Sequence, residues 1–387
     1  AGLRQAEIEL ALQGQNLRST LRWSSQRAGE LQAQAHTTLA WPGNDWRQAQ
    51  WPASAPLAAQ ISAQLPELGV WSVLAPPGWR VKGTLAAQVQ VAGTRSDPRW
   101  HGSLSAEQFA LRSVLDGVDL QDGQLQATLD GQQLRIDRLQ LKGGNGSAAR
   151  ILGRSGNRTP APQDGGLLTA SGLVQWQLPG ADAAPRIDMQ LQAQAEHLQL
   201  QVRADRQLSV SGQLQARLHE RQFTLRGQLR TDRATLILPD GSAPQLGSDV
   251  YVRTPQAQPA SPPPAPGPTL QAALPPDIDI GLDLGDDFAL QGHGITTRLT
   301  GALRISANAA SGGQPRVSGE VRTDAGRYRA WGQALDVESG LIRFAGPYDN
   351  PQLDILALRP NISVRAGVQV TGSAQAPRVT LYSDPEL

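Results

Sequence analysis

Ile362-Ser363-Val364-Arg365-Ala366-Gly367-Val368-Gln369-Val370-Thr371 decides the fold of this chain. Ile362, Val364, Ala366, Val368 and Val370 share one phase of a period of two. Ser363, Arg365, Gly367, Gln369 and Thr371 share the other. Successive side chains of a β-strand point to opposite faces, so the stretch predicts a strand with one apolar and one wet face. The same alternation recurs at Ile278, Ile280, Leu282 and Leu284, at Leu299, Gly301, Leu303 and Ile305, and at Leu208, Val210, Gly212 and Leu214.

Working outward, residues 1–55 read as strands separated by Gly14, Gly29 and the Pro42-Gly43-Asn44-Asp45 turn. Between Pro56 and Pro76 the period changes. Ile61, Leu65, Leu68, Trp71 and Leu74 recur every three or four residues, which predicts one or two short helices near 57–75, interrupted at Pro66. From Val81 the alternation resumes. A Gly/Ser/Pro-rich stretch at 143–166 reads as a long loop with a short strand at Ile151-Leu152. Residues 254–276 hold nine prolines and no periodicity, and read as a loop within one elongated β domain spanning 1–387. Gly83, Gly102, Gly212, Gly227, Gly301 and Gly319 fall on the apolar phase, where glycine marks bends, so the sheet is expected to curve strongly. The repeat of strand and turn predicts roughly 20 strands, a single sheet on the order of 100 Å long.

Composition agrees and narrows the function. The charged fraction is 18% and the aromatic fraction 4%, so few large rings are available to roof such a face. Net charge is +1, which gives no field to draw nucleic acid. There are no cysteines, which removes disulfides, thiolate metal sites and a cysteine nucleophile. No apolar run approaches the roughly 18 residues that cross a bilayer, so a membrane anchor or export signal is expected to lie outside the sequence.

Catalytic chemistry is not visible. His36, His101, His197, His219 and His293 are scattered singly, without metal-ligand spacing, and no cofactor is expected. Asp277, Asp279, Asp283, Asp286 and Asp287 form the best acidic cluster. The first three alternate with Ile278, Ile280 and Leu282, which places them on the wet face of a strand. Nothing here supports an enzyme.

A resemblance adds to this. Leu284-Gly285-Asp286-Asp287 leads into Gly294-Ile295-Thr296-Thr297-Arg298-Leu299-Thr300-Gly301, and Gly326-Arg327-Tyr328 into Trp331-Gly332-Gln333. Ser339-Gly340-Leu341-Ile342-Arg343-Phe344, Gly346-Pro347-Tyr348-Asp349-Asn350-Pro351-Gln352-Leu353-Asp354-Ile355 and Pro377-Arg378-Val379-Thr380-Leu381-Tyr382-Ser383 follow. These stretches resemble the C-terminal region of the TamB family, within the AsmA-like bridge-type lipid transfer superfamily. The likeness covers about residues 60–387 and is most specific over 277–387. It implies a long U-shaped β-sheet, a β-taco, with an apolar concave groove. It also implies a periplasmic protein anchored in the inner membrane by an N-terminal helix not present here, and an outer-membrane barrel partner of the Omp85 type (TamA-like). The segment expected to engage that barrel lies beyond Asp384-Pro385-Glu386-Leu387, and the proline-rich excursion is longer than the family pattern, which leaves the groove's continuity across 254–276 open.

From alternation alone, a self-covered sandwich or barrel is the default, because most one-sided sheets pack on another. The resemblance reverses that order. It makes the chain a lipid-conducting groove for phospholipid acyl chains, lined by Ile278, Ile280, Leu282, Leu299, Leu303, Ile305, Val317, Val321, Leu335, Val337, Leu353, Ile355, Ile362, Val364, Val368, Val370, Val379 and Leu381. Val364→Arg is expected to block passage. The alternative is a chaperone-like assembly factor for outer-membrane or autotransporter β-proteins, using a strand edge. A polysaccharide-active β-helix would need clustered inward carboxylates, and none is evident.

Overall fold

The computed structural model describes residues 2–41, 46–74, 78–145, 149–177, 186–238, 274–292, 294–330, 333–362 and 365–385. Among the described residues twenty strands form one sheet. The first twelve are β1 (Leu3–Gln13), β2 (Asn16–Ser25), β3 (Gly29–Thr38), β4 (Leu57–Leu65), β5 (Trp79–Gly93), β6 (Pro98–Ser113), β7 (Val118–Gly131), β8 (Gln133–Gly143), β9 (Leu167–Gln177), β10 (Arg186–Val202), β11 (Arg206–His219) and β12 (Gln222–Ile237). The remainder are β13 (Asp277–Asp283), β14 (Phe288–Gly292), β15 (Ile295–Ala307), β16 (Arg316–Ala330), β17 (Gln333–Gly346), β18 (Gln352–Leu358), β19 (Arg365–Ser373) and β20 (Ala376–Asp384).

From β1 to β12 each strand pairs antiparallel with its sequence neighbour, through short turns in most cases and through long connections at β3–β4, β4–β5 and β8–β9. The meander then changes once. β13 and β14 lie end to end, parallel to β12 on one side and antiparallel to β15 on the other. β15 to β20 resume the antiparallel order. A parallel neighbour requires the chain to recross the strand, and β13 indeed starts opposite Thr224 while β12 ends at Ile237. The sheet is continuous at this point: Leu225, Gly227 and Leu229 sit opposite Ile278, Ile280 and Leu282. Residues 254–273 of the proline-rich stretch lie outside the described residues.

Two local expectations are corrected. Residues 57–65 are strand β4, and only Leu68–Leu74 forms a short 3-10 helix. In β4 the residues that decide are Leu57, Ala59, Ile61, Ala63 and Leu65, which face Thr37, Ala35, Ala33 and Leu31 of β3 and Val91, Val89, Ala87 and Leu85 of β5. Ile151-Leu152 is not a strand; the Ile151 N–H is taken by the Asn157 side chain instead of by a ladder.

The sheet has two rims of turns. One carries the β1–β2, β5–β6, β7–β8 and β11–β12 turns, and the other the β6–β7, β8–β9, β10–β11 and β14–β15 connections. From the second rim, the β8–β9 connection runs across the polar face as a strap. Asn157 donates to the Ala234 carbonyl at 2.8 Å, the Arg158 and Thr159 N–H groups donate to the Asp287 carboxylate at 2.8 and 2.9 Å, and Arg298 of β15 donates to the Gly156 carbonyl at 3.0 Å. The accessible surface is 25,340 Å². A compact monomer of 41.2 kDa would expose only about 15,000 Å². Among the described residues no second layer lies over the sheet, which contributes to the excess.

Candidate functional site: the aliphatic face of the sheet

Directly opposed residues on neighbouring strands share a face, so the pairing register assigns every side chain. One row of opposed residues runs from β1 to β15: Ala6, Trp23, Leu31, Ala63, Ala87, Leu104, Ala127, Ile136, Gly172, Leu191, Ala216, Leu225, Ile278 and Ala307. It contains no polar side chain. A second row takes over from Leu65 and Leu85 through Ala193, Leu214 and Gly227 to Ile280, Ile305 and Val317. A third continues as Gly301, Val321, Ile342, Leu353, Gly372 and Pro377, reaching β20. The rows slant across the strands, and each replaces the last as it leaves the rim.

Of the residues expected to line a groove, Ile278, Ile280 and Leu282 are on β13, Leu299, Leu303 and Ile305 on β15, Val317 and Val321 on β16, Leu335 and Val337 on β17, Leu353 and Ile355 on β18, Val368 and Val370 on β19, and Val379 and Leu381 on β20. The register brings all of these to the same face. Ile362 is not among them. It lies in the β18–β19 connection, 40% exposed, directly after Asn361, which turns the chain at φ +61°. Val364 lies outside the described residues. At Leu353–Leu358 and Leu341–Phe344, where apolar residues occupy both phases, Leu353, Ile355, Ile342 and Phe344 join the aliphatic face, while Leu341, Leu356 and Leu358 are on the other.

Burial distinguishes this face from a packed core. Among the expected residues Leu299, Val321 and Leu335 are buried. Ile280, Leu303, Ile305, Val317, Leu353, Ile355, Val368 and Val370 are only half-buried, and Leu381 is 92% exposed. In a sandwich a facing sheet would cover such residues; here they touch their neighbours within the sheet and keep part of their surface open.

The sheet also bends. Gly212 and Gly301, both on the aliphatic face, take φ of +147° and +140°, and a Cβ there would sit 2.1 Å and 2.2 Å from the carbonyl oxygens of Gln228 and Glu320. Side chains cannot occupy these points, and the strands curve at them. Between β7 and β10 the bend is sharp enough for the Val202 N–H to donate to the Gly117 carbonyl at 2.9 Å, although β8 and β9 intervene. Leu120 and Leu141 meet Ala195 and Leu198 in one apolar cluster there, all from the aliphatic face, so the sheet closes towards that face.

On the opposite face several charges are paired across strands. Arg304 forks onto Asp279 at 2.6 and 2.5 Å, Arg226 reaches Asp277 at 2.5 Å, and Arg343 reaches Glu320 at 3.0 Å. The Arg304 hydrogen bonds hold the Asp279 carboxyl below the usual carboxylate range. Asp277 and Asp279 are therefore the wet-face residues expected.

Asp287 is different. It is 4% exposed, and its carboxylate accepts from the Thr159 hydroxyl, the Arg158 and Thr159 N–H groups and the Asn157 amide. Burial pushes this carboxyl up, but the four hydrogen bonds outweigh burial and leave it below the ordinary range. Arg233 and Arg298, both buried, complete the network through the Ala149, Arg154 and Gly156 carbonyls, and Arg298 pairs with Asp324 at 3.1 Å. This latch was not visible in the sequence. Among the described residues no group of three or more His, Cys, Asp or Glu could hold a metal ion.

Comparison with known proteins places this geometry. The translocation and assembly module subunit TamB of Haemophilus influenzae is 34% identical over 112 residues, which are 28% of this chain and 8% of that protein. The chain is thus matched to a short section of that relative. The family model described as the TamB C-terminal domain matches residues 156–387, more than half of the chain. Asn157, Arg158, Thr159 and Asp287 of the latch, the β12–β15 junction and the last six strands fall inside that match, and the chain belongs to the TamB family.

Proposed function

We propose that this chain is a section of a lipid-conducting trough of the Gram-negative envelope, carrying phospholipid acyl chains over its aliphatic face between the inner and outer membranes. The observation that carries this reading is the row of opposed apolar residues from Ala6 to Ala307, without a polar interruption and, among the described residues, without a covering layer. Burying about 16 methylenes at roughly 0.8 kcal/mol each contributes about 13 kcal/mol, enough to hold an acyl chain out of water. Because each strand offers nearly the same lining, that energy changes little along the row and the chain can slide. Membership of the TamB family, whose relative is named for a translocation and assembly module, supports a role in outer-membrane assembly, in the periplasm and with an outer-membrane barrel partner.

A charge on the floor tests the reading. Ile355→Arg places a guanidinium on the aliphatic face of β18, opposite Gly340 and Val370. Asp354→Arg places the same charge on the other face. Ile355→Arg should stop lipid passage in cells and Asp354→Arg should not, with both proteins folded; equal passage in both variants overturns the proposal.

The chaperone reading has one observation of its own. Among the described residues β20 is paired only with β19, so its outer edge is open to an added strand. Proline at Thr380 would block client addition there and leave lipid passage intact.

A further inference from the structure

At the second rim a cavity of about 440 Å³ lies between the strap and the ends of β12, β14, β15 and β16. Arg154 of the strap and Arg327 and Arg329 of β16 line it, and among the described residues no acidic residue does. Arg327 has a single long contact to Asp336, 3.4 Å from its Nε. Arg154 and Arg329 show no carboxylate partner among the described residues. By contrast, Arg304 and Arg343 on the same face are paired across strands with Asp279 and Glu320. Three arginines line one concavity with little carboxylate beside them, which repels cations and leaves donors for an anion.

The cavity also spans both faces. Gln291, Thr296, Arg327 and Arg329 are on the polar face, whereas Gly292 and Ile295 are opposed to each other on the aliphatic face. Leu152, 76% exposed, and Leu238, 37% exposed, stand at its mouth. Cationic donors next to open aliphatic surface match an amphiphile with a charged phosphate and an apolar tail. Guanidiniums bind phosphate oxygens through parallel N–H donors, and their positive charge disfavours a headgroup that adds a quaternary ammonium to the phosphate.

We propose that this rim cavity binds a phosphate group through Arg154, Arg327 and Arg329, as the headgroup of an anionic phospholipid or as free phosphate. The headgroup source rests on the trough reading above: a phosphate held here leaves its acyl chains at Ile295, where the aliphatic face begins.

The test uses the purified 387-residue chain and three probes: monomeric short-chain phosphatidylglycerol, short-chain phosphatidylcholine and inorganic phosphate. Binding is measured by calorimetry for the native protein, for the double variant R154Q/R329Q and for the control Arg99→Gln, which is remote from the cavity. Losing two charge-assisted contacts should weaken binding at least about tenfold, with thermal unfolding unchanged and the control unaffected. Phosphatidylglycerol bound more tightly than phosphatidylcholine, and displaced by phosphate, assigns the headgroup; phosphate bound without either lipid assigns the free anion. Equal affinity of native and double variant for every probe, or no binding of any, overturns the proposal. The two readings fail separately. If the trough alone is wrong, phosphate binding persists and Ile355→Arg leaves long-chain lipid unaffected; if the cavity alone is wrong, R154Q/R329Q keeps all its lipid while Ile355→Arg loses it.

Discussion

The Thr159 N–H donates to the Asp287 carboxylate at 2.9 Å, although 128 residues separate them in the chain. That bond fastens the strap across strands β10 to β15, so a loop from the middle of the sequence holds the region where the meander changes to a parallel pair. Its donors satisfy a carboxylate that would otherwise be buried unpaired.

Removing the acceptor exposes what the latch is worth. Asp287→Ala removes the acceptor shared by the Arg158 and Thr159 N–H groups and the Asn157 amide, beside a buried Asn157 that keeps only the Ala234 carbonyl for its amide donor. A loss of about 3 kcal/mol is expected, read as a lower urea midpoint with little change in slope.

The same carboxylate sets an acid limit. Its folded pKa is depressed relative to an unfolded value of about 3.9, so the stabilisation is complete above that value and is lost as pH falls through the folded pKa. Native protein should lose stability steeply below about pH 4. Asp287→Asn, which carries no titrating group at this site, should show a shallower dependence in the same acid window, measured as urea midpoint against pH.

Gly212 tests the bend. Gly212→Ala sets a Cβ 2.1 Å from the Gln228 carbonyl oxygen at a φ of +147°, so β11 and β12 must separate there. A cost of about 2–4 kcal/mol is expected. Gly14→Ala, at φ +60° in an open turn with no atom near the added carbon, should cost clearly less; equal melting shifts for the two variants would remove the argument that close strand approach shapes the sheet.

The aliphatic face was legible in the sequence because a period of two survives any register: Val368 and Val370 share a phase wherever the strand pairs. What failed was local. Ile362 continues the alternation, but Pro360 and Asn361 turn the chain before it, and the left-handed φ at Asn361 ends the pattern. Ile61, Leu65 and Leu68 imitate a helical period because the intervening inward positions of β4 are alanines, whose small side chains carry little signal in either direction. The latch had no signal at all. Asn157, Arg158 and Thr159 are ordinary polar residues in a Gly/Ser/Pro-rich stretch, and only the fold brings Asp287 beneath them. The rim arginines were hidden likewise: Arg327 and Arg329 alternate as wet-face residues should, and Arg154 reaches them only through the strap.

The most direct measurement of the central claim is photo-crosslinking in cells with a probe at Ile355 and, separately, at Asp354. These adjacent residues of β18 point to opposite faces, Ile355 opposite Val370 and Asp354 opposite Thr371. Phospholipid adducts at Ile355 and none at Asp354 are the predicted result. No lipid at Ile355, or equal lipid at both positions, would contradict an occupied aliphatic trough.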